Sequence, residues 1–379
     1  MPHISVLVVD DSVVVRRLVT QALSLDPDIE VMGTASSGRL ALERIQQQLP
    51  DVVTLDVEMP DMDGLETLRE IRRRHPRLPV VMFSSVTERG ASATLDALTL
   101  GANDYVTKPT HAASQDAAMD SVRSQLIPKI KALCGRAATR EPAPEVQQRP
   151  AAPAAPIVTA RRPGGIDPTG PVDAVAIGAS TGGPDALSKV LNSLPADFPV
   201  PIFIVQHMPP LFTRLFAGRL DASSPLTVKE ARDGDVPVAG GVYIAPGDYH
   251  LSLRRDAAGR ARMVVSQEGP ENWVRPAVDV LFRSMAEVYG ERTLALVLTG
   301  MGQDGMKGSE PIIACGGQIV VQDEATSVVW GMPGSVAHAG LAQHVLPLGD
   351  IADHILRVAQ RSRSASSAAR NDVALGARS

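Results

Sequence analysis

Three residues in the second half of the sequence could together carry out nucleophilic catalysis. Ser180 lies in the segment Gly178–Gly182, which fits the pattern Gly-x-Ser-x-Gly between a predicted strand and a predicted helix. His207 follows a second predicted strand, and Asp304 follows a third. A hydroxyl needs a base to take its proton, and an imidazole needs a carboxylate to orient it and to stabilise its cation. If the three strands are neighbours, these groups can meet on one rim of a sheet.

The glycine-rich turn around Ser180 has other possible uses, so the motif alone leaves the chemistry open. Glycine-rich turns after a strand also cradle phosphate groups. A dinucleotide site has an Asp or Glu after the second strand to bind the ribose, whereas this sequence has Gln206-His207. Free N–H groups at the helix start can instead stabilise an oxyanion. Asp279, within a helical apolar pattern, and Asp323, beyond a strand, are weaker candidates for the acid.

Carboxylates gather in another pattern near the start of the chain. Asp10 and Asp11 end the first predicted strand and Asp56 ends the third, and these strands are neighbours in a flavodoxin-like order. Like charges a few Å apart oppose one another's ionisation, so the cluster predicts a cationic partner. Mg²⁺ and Lys108, at the end of the fifth strand, are the candidates, and Ser84 adds a hydroxyl on the same rim. A carboxylate in this setting can accept a phosphoryl group.

Both groups of residues depend on alternating strands and helices, which predict an α/β fold in each half. Helical apolar spacing, such as Val14, Leu18 and Ala22, follows the strands. The first half predicts a flavodoxin-like (βα)5 domain with strands at Val6–Val9, Val31–Ala35, Val52–Asp56, Val80–Ser84 and Tyr105–Thr107. The second half predicts a doubly wound domain with a mostly parallel sheet, containing Ala174–Ile177, Ile202–Val205 and Leu294–Leu298. A β-rich insert is expected at Val242–Ala245, His250–Leu253 and Met263–Ser266.

Length and composition indicate a chain of two or three domains with little net charge. Its 379 residues are 44% hydrophobic, with 37 Lys and Arg against 42 Asp and Glu, which argues against binding to nucleic acid or an anionic membrane. A stretch rich in Pro and Ala divides the chain. We expect domains at residues 1–133 and 172–360, a linker at 134–171 and a disordered tail at 361–379. Two cysteines, and the lack of a signal peptide or of a long apolar run, predict a soluble cytoplasmic protein.

The front half resembles the receiver domains of two-component response regulators. The resemblance rests on Asp10, Asp11, Asp56, Ser84 and Lys108-Pro109, together with the turn Met59–Gly64. It implies that Asp56 is the phosphoacceptor, that Asp10, Asp11 and Asp56 hold Mg²⁺, that Ser84 contacts the phosphoryl group and that Lys108 pairs with it. It also implies a cis peptide bond before Pro109.

The back half resembles the chemotaxis response-regulator protein-glutamate methylesterases. The matching segments are Gly178–Pro184, Gln206–Pro210, Arg275–Phe282, Thr299–Gly305 and Gly331–Gly334. The resemblance implies that Ser180 is the nucleophile, His207 the general base and acid, and Asp304 the orienting carboxylate. It implies that Thr181, Gly182 and Met301 bind the oxyanion or line the site. No cofactor is expected in this domain, since His250, His338 and His344 lack metal-ligand spacing.

Together these resemblances imply a serine hydrolase controlled by phosphorylation. Its substrates would be glutamate methyl esters and certain glutamines of methyl-accepting chemotaxis receptors, and its phosphodonor a sensor histidine kinase. We hypothesise that the unphosphorylated front domain covers the Ser180 rim and that phosphate on Asp56 weakens this packing. Two rival classes are a phosphorylation-controlled nucleotide-binding module and a transcription factor. The second rival needs a compact basic output, which this chain lacks.

Overall fold

The computed structural model describes residues 3–109, 114–135 and 170–361. The chain separates into two compact units, and their boundary falls within the stretch 136–169. Most of the linker predicted at 134–171 and of the tail predicted at 361–379 therefore lies outside the described residues. At the edges of the predicted linker, Cys134 is the last residue of a helix and Val172 is buried.

The first unit is a parallel sheet of five strands with a helix after each strand. Its strand order is β2-β1-β3-β4-β5, so β1 and β3 are neighbours at the point where the order reverses. The fold class and all five predicted strands are confirmed, with the first two beginning two residues earlier than expected. The elements are β1 (Ile4–Val9), α1 (Val13–Ser24), β2 (Ile29–Ala35), α2 (Gly38–Gln47), β3 (Val52–Asp56), α3 (Gly64–Arg74), β4 (Val80–Ser84), α4 (Glu88–Thr99), β5 (Asp104–Thr107) and α5 (Gln115–Cys134).

Helix α1 buries only part of the apolar stripe that its spacing suggested. Val14 is 76% exposed, whereas Val19, Ala22 and Leu23 are buried. The run of valines at 13–15 allows more than one apolar stripe, so spacing alone did not fix the buried face. Ser12 caps the helix by accepting a hydrogen bond from Val15 N at 3.4 Å.

The second unit is built on a seven-stranded parallel sheet with the order β14-β13-β12-β6-β7-β9-β8. A separate hairpin, β10-β11, lies outside this sheet. The elements are β6 (Ala174–Ala179), α6 (Gly183–Asn192), β7 (Ile202–Gln206), α7 (Pro210–Ser223), β8 (Thr227–Glu230), β9 (Gly241–Ile244), β10 (His250–Arg255), β11 (Ala261–Ser266), α8 (Val278–Tyr289), a 3₁₀ turn (Gly290–Arg292), β12 (Thr293–Val297), α9 (Met306–Ala314), β13 (Gln318–Gln322), α10 (Met332–His338) and β14 (His344–Leu346). A final helical segment occupies residues 348–361.

The β-rich insert is smaller than the sequence suggested. The strand expected at Val242–Ala245 corresponds to β9, which pairs in parallel with β7 and β8 and so belongs to the main sheet. Only β10 and β11 pair apart from it, in antiparallel register from His250↔Ser266. A short β-rich run reveals a strand but not its partner, because pairing is decided by residues far away in the chain.

The centre of the main sheet brings the three predicted catalytic loops together. Strand β6 lies between β12 and β7, with Gly178 opposite Val297 and Ala179 opposite Gln206. Because all three strands are parallel, the loops that follow them leave the same edge of the sheet. Helix α8 packs closely beneath this edge, since a Cβ at Gly178 would lie 2.5 Å from Val278 Cγ1. Within the described ranges, no helix is both long enough and apolar enough to cross a membrane.

Candidate active site

The backbone of Ser180 is held by hydrogen bonds from three directions. Its N–H donates to Thr299 O at 3.0 Å, in the loop after β12. Its carbonyl accepts from Gln206 Nε2 at 3.0 Å, at the end of β7, and from Gly183 N at 2.8 Å, at the start of α6. The side chain of Ser180 is therefore presented, half-buried, from a fixed main chain.

Glycines allow the surrounding loops to approach Ser180. Gly182 immediately precedes helix α6 and has φ of 78°, a left-handed conformation that glycine adopts without steric penalty. A Cβ at Gly300 would lie 2.8 Å from Ser180 Cβ and would also collide with Met332 Sδ. A larger residue at position 300 would thus displace the serine.

His207 follows the strand next to the one that carries Ser180, and its imidazole contacts Asp304. Strand pairing sets Ala179 opposite Gln206, and His207 N donates to Ala179 O at 3.2 Å. His207 Nε2 is 2.9 Å from Asp304 Oδ2. The side chain of His207 is 13% exposed and that of Asp304 3% exposed, so water competes little for this contact. The structure brings the imidazole and the carboxylate together as the sequence predicted.

Asp304 also accepts hydrogen bonds from the first main-chain N–H groups of helix α8. Its Oδ2 accepts from Val278 N at 2.6 Å, and its Oδ1 accepts from Asp279 N at 3.0 Å. The helix has no side-chain cap of its own at Ala277, so Asp304 takes the place of one. Burial opposes ionisation, but the hydrogen bonds from His207 and these amides hold the pKa of Asp304 below its ordinary value. The carboxylate is thus kept as an anion beside the imidazole.

The other predicted site residues lie around Ser180 in different ways. Thr181 is buried, and its carbonyl accepts from Thr299 Oγ1 at 2.9 Å. Met301 is half-buried and follows Gly300, the residue that approaches Ser180. The weaker acid candidate Asp323 is used locally, where its Oδ1 accepts from Thr326 N at 3.0 Å.

Sequence reasoning missed two residues that shape this site. Thr299 and Gln206 hold the main chain at Ser180, as described above. Thr299 Oγ1 also accepts from Val329 N at 3.0 Å, which ties together two loops that are distant in sequence. Their position at the ends of buried strands, within segments that carry the family resemblance, was the signal in the sequence. It does not distinguish a scaffold residue from any other strand-end residue.

In the first unit, three carboxylates converge at the ends of β1 and β3. Asp10 and Asp56 are buried, Asp11 is exposed, and one oxygen of each lies within 4.8 Å of the others. Lys108 Nζ is 2.9 Å from Asp10 Oδ2 and 2.8 Å from Asp56 Oδ2. Burial, together with the charge of Asp10, raises the pKa of Asp56 to about 6, although Lys108 acts in the opposite direction. The cluster therefore carries more negative charge than its single lysine neutralises.

The donor set of this acidic cluster fits a hard divalent cation. Asp10 Oδ2 and Asp56 Oδ2 are buried and, among the described residues, have the ion pair with Lys108 but no hydrogen bond of good geometry. Carboxylate oxygens are the ligands that Mg²⁺ prefers. The cluster of Asp10, Asp11 and Asp56 is also the one group of three or more potential metal ligands with suitable spacing within the described part of the chain.

In the second unit, the side chain of His250 is packed, and its Nδ1 accepts a hydrogen bond from Ala277 N at 3.2 Å.

Ser84 and Pro109 both belong to the receiver pattern that the sequence suggested. Ser84 is buried, and its hydroxyl donates to Gly90 O at 3.1 Å rather than to the carboxylates. The prediction of a cis bond before Pro109 is wrong, because Arg275–Pro276 is the cis peptide among the described residues. A trans bond is the default before proline unless the local fold selects the other isomer.

Comparisons with known proteins agree with this architecture. A family model described as "Response regulator receiver domain" matches residues 6–119, and one described as "CheB methylesterase" matches residues 175–355. Fold and matches together define a response regulator with a hydrolase as its output domain. The solved structure of the Thermotoga maritima CheB methylesterase catalytic domain is 46% identical and covers 49% of this chain and 98% of its own, with a TM-score of 0.48.

Full-length relatives make the assignment specific. A protein of Nocardioides sp. named protein-glutamate methylesterase/protein-glutamine glutaminase is 53% identical, over 96% of this chain and 97% of the relative. A protein of the same name from Trichodesmium erythraeum is 50% identical, over 94% of this chain and 99% of the relative. The chain belongs to the protein-glutamate methylesterase/protein-glutamine glutaminase family.

Proposed function

We propose that this protein hydrolyses glutamate methyl esters and deamidates glutamines on methyl-accepting chemotaxis receptors, and that phosphorylation of Asp56 raises this activity. One observation carries the catalytic part. Ser180, His207 and Asp304 follow three neighbouring parallel strands, and His207 Nε2 is 2.9 Å from Asp304 Oδ2. An alcohol, a base and an orienting acid in this order form an acyl-transfer site.

The contact between His207 and Asp304 supports one assignment of the atoms in the proposed reaction. Because Nε2 faces the carboxylate, Nδ1 is the nitrogen left to accept the proton of Ser180 Oγ. Ser180 Oγ bonds to the γ-carbonyl carbon, and the tetrahedral intermediate collapses as His207 returns the proton to the departing methoxide or amide nitrogen. Methanol or ammonia leaves. His207 then takes a proton from water, whose oxygen attacks the acyl carbon and releases glutamate and Ser180.

The start of helix α6 supports the charge that develops on the carbonyl oxygen. Thr181 and Gly182 follow Ser180 at the N-terminal end of this helix, where the helix dipole favours an anion. Met301 would line the site, because it follows Gly300 in the loop that approaches Ser180. A developing oxyanion near this end of the helix lowers the barrier to attack.

In the first unit, Asp56 is proposed to take a phosphoryl group from a sensor histidine kinase. Asp10, Asp11 and Asp56 would hold Mg²⁺, which when bound neutralises charge on the transferring group. Lys108 already contacts Asp56 and would pair with the new phosphate. Ser84 would exchange its bond to Gly90 O for one to the phosphoryl group.

Regulation is proposed to act through a difference in packing between the two phosphorylation states. The two phosphorylation states of the receiver would differ in their affinity for an inhibited state of the enzyme. Phosphate can control the enzyme only through this difference in affinity.

The two free cysteines, Cys134 and Cys315, are compatible with the cytoplasmic location that this function requires.

Mass spectrometry of a methylated receptor fragment tests the activity. After incubation with the full chain, the modified glutamate should become lighter by one methylene group, and methanol should accumulate. A fragment left unmodified, with measurable affinity of the protein for a nucleotide instead, would favour a nucleotide-binding module and overturn the proposal.

A further inference from the structure

Asp279 and Asp304 cap each other's helices. Asp304 accepts from the first two N–H groups of α8, as described above. Asp279 is the second residue of α8 and is fully buried, and its Oδ1 accepts from Gly305 N at 2.9 Å and Gly308 N at 2.6 Å. These amides begin α9, which also has no side-chain cap of its own. The acid that orients His207 is thus part of a reciprocal joint between two helices.

This joint places two buried carboxylates side by side. Burial, and then the negative charges of Asp304 and Glu271, raise the pKa of Asp279, against hydrogen bonds from Gly308 and Asn272 that lower it. Hydrogen-bond donors that lie between the two carboxylates are therefore needed to stabilise both of them in this buried position. Gly305 N supplies one, since it lies 2.9 Å from Asp279 Oδ1 and 3.1 Å from Asp304 Oδ1.

Asn272 supplies the side-chain donor between the acids. Its Nδ2 is 2.8 Å from Asp279 Oδ2 and 2.8 Å from Asp304 Oδ1. A primary amide nitrogen carries two hydrogens, so it can donate to both carboxylates at once. Its bond to Oδ1 of Asp304 leaves Oδ2 facing His207 Nε2. Asn272 thereby opposes rotation of the carboxylate away from the imidazole.

A tight turn fixes the position of this amide. Glu271 and Val274 exchange two main-chain hydrogen bonds, of 3.1 and 3.0 Å, around Asn272 and Trp273. The φ values of these two central residues are 53° and 65°, as a two-residue turn of this kind requires. Glu271 also makes two bonds of 2.6 Å to Arg283 on α8. The turn and the helix that carries Asp279 are therefore joined.

We infer that Asn272 and Asp279 are positioning residues for the hydrolysis, with the Asn272 amide, anchored on Asp279, holding Asp304 in the orientation that bonds His207. Neither residue touches the reacting atoms. Their effect reaches Ser180 only through Asp304 and His207. This role in catalysis rests on the proposed function, whereas the geometry of the His207–Asp304 contact can be tested without it.

Asn272→Gly is the most informative single variant. Glycine adopts the positive φ of this turn readily, so the turn persists while the amide is lost. Trp273→Gly is the matched control, because it changes the same turn and keeps Asn272. With the full chain and a methylated receptor fragment, Asn272→Gly should lower kcat about tenfold, with KM within about twofold of wild type. Water can partly replace the amide, because residue 272 is exposed. Trp273→Gly should keep kcat within about twofold of wild type.

A double exchange distinguishes positioning of Asp304 from simple attachment of the turn to helix α8. In Asn272→Asp/Asp279→Asn the new amide at 279 can donate to the new carboxylate at 272, so the link between turn and helix is preserved. Asp304 Oδ1, however, then faces an acceptor instead of a donor. The exchange should lower kcat at least as much as Asn272→Gly. Wild-type kcat in the exchange variant, or in Asn272→Gly, would overturn the inference.

Proton NMR of the full chain gives a readout that needs no substrate. The imidazole N–H bonded to Asp304 should give a far-downfield resonance, which is identified by its loss in Asp304→Asn. Asn272→Gly should shift this resonance, and Trp273→Gly should leave it in place. A resonance unmoved by Asn272→Gly contradicts the inference. Failure of the wild-type protein to release methanol would instead contradict the proposed function alone.

Discussion

His207 Nε2 and Asp304 Oδ2 lie 2.9 Å apart, although 97 residues separate them in the chain. The contact depends on the parallel neighbours β7, β6 and β12, whose following loops leave one edge of the sheet. It also depends on α8, because the first amides of that helix hold the same carboxylate. Several measurable consequences follow from an imidazole fixed in this way.

Replacement of Asp304 by Asn should remove most of the activity. In Asp304→Asn the amide would favour the wrong tautomer of His207, so kcat for methanol release should fall about 10⁴-fold. Asp323→Asn is the control, because that acid serves only its local turn in the described structure, and it should retain wild-type kcat. An Asp304→Asn enzyme within about tenfold of wild type would exclude the assigned role.

The raised pKa of Asp56 predicts how the stability of the receiver varies with pH. Its pKa is about 6 in the folded protein against an ordinary value of 3.8, so the folded state binds the proton more tightly. The stabilisation is complete below about pH 4 and is lost as pH rises through about 6, an effect of about 3 kcal/mol. Hydrogen exchange of β1 and β3 peptides should show this loss relative to Asp56→Asn. A constant difference between the two proteins from pH 4 to 7 would refute it.

Divalent cation should stabilise the receiver through its acidic cluster. Adding Mg²⁺ at about 100 times its dissociation constant should raise the free energy of unfolding by about 2.7 kcal/mol, and a chelator should reverse this. Asp11→Asn should weaken the effect, because it removes one of the three converging carboxylates. Asp61→Asn is the control, since that acid lies outside the cluster and its φ of 66° suits asparagine. Equal responses of both variants would argue against the cluster as the site.

Phosphorylation should act through Asp56 alone. With a small phosphodonor and Mg²⁺, methanol release by the wild-type chain should rise about tenfold, the usual scale of coupling between two sites. Asp56→Asn should keep the basal rate and show no rise, because its amide cannot accept the phosphoryl group. Stimulation of both proteins to the same extent would remove Asp56 from the mechanism.

The sequence predicted the residues that lie at strand ends because one rule governs them all. Parallel strands that alternate with helices place their carboxyl ends on one edge, so Asp10, Asp56, Ser180 and His207 could be assigned from local patterns. Asp304 lies further along its loop, and the choice between it and Asp279 was harder. The structure gives the reason, because the carboxylates of Asp279 and Asp304 lie side by side and both accept a hydrogen bond from Asn272.

Features that depend on distant partners were not accessible from local patterns. The buried face of α1 excluded Val14, and β9 joined the main sheet rather than the insert, because both are decided by packing against other elements. Asn272 gave no signal in the sequence beyond a residue suited to a turn. Its two carboxylate partners come from segments 7 and 32 residues away.

The role of Ser180 as nucleophile is tested most directly by Ser180→Ala in the full chain, with methanol release from a methylated receptor fragment as the measurement. If Ser180, His207 and Asp304 act as a unit, the rate should fall about a millionfold while the fold is retained. Methanol release by Ser180→Ala at the wild-type rate would contradict the account.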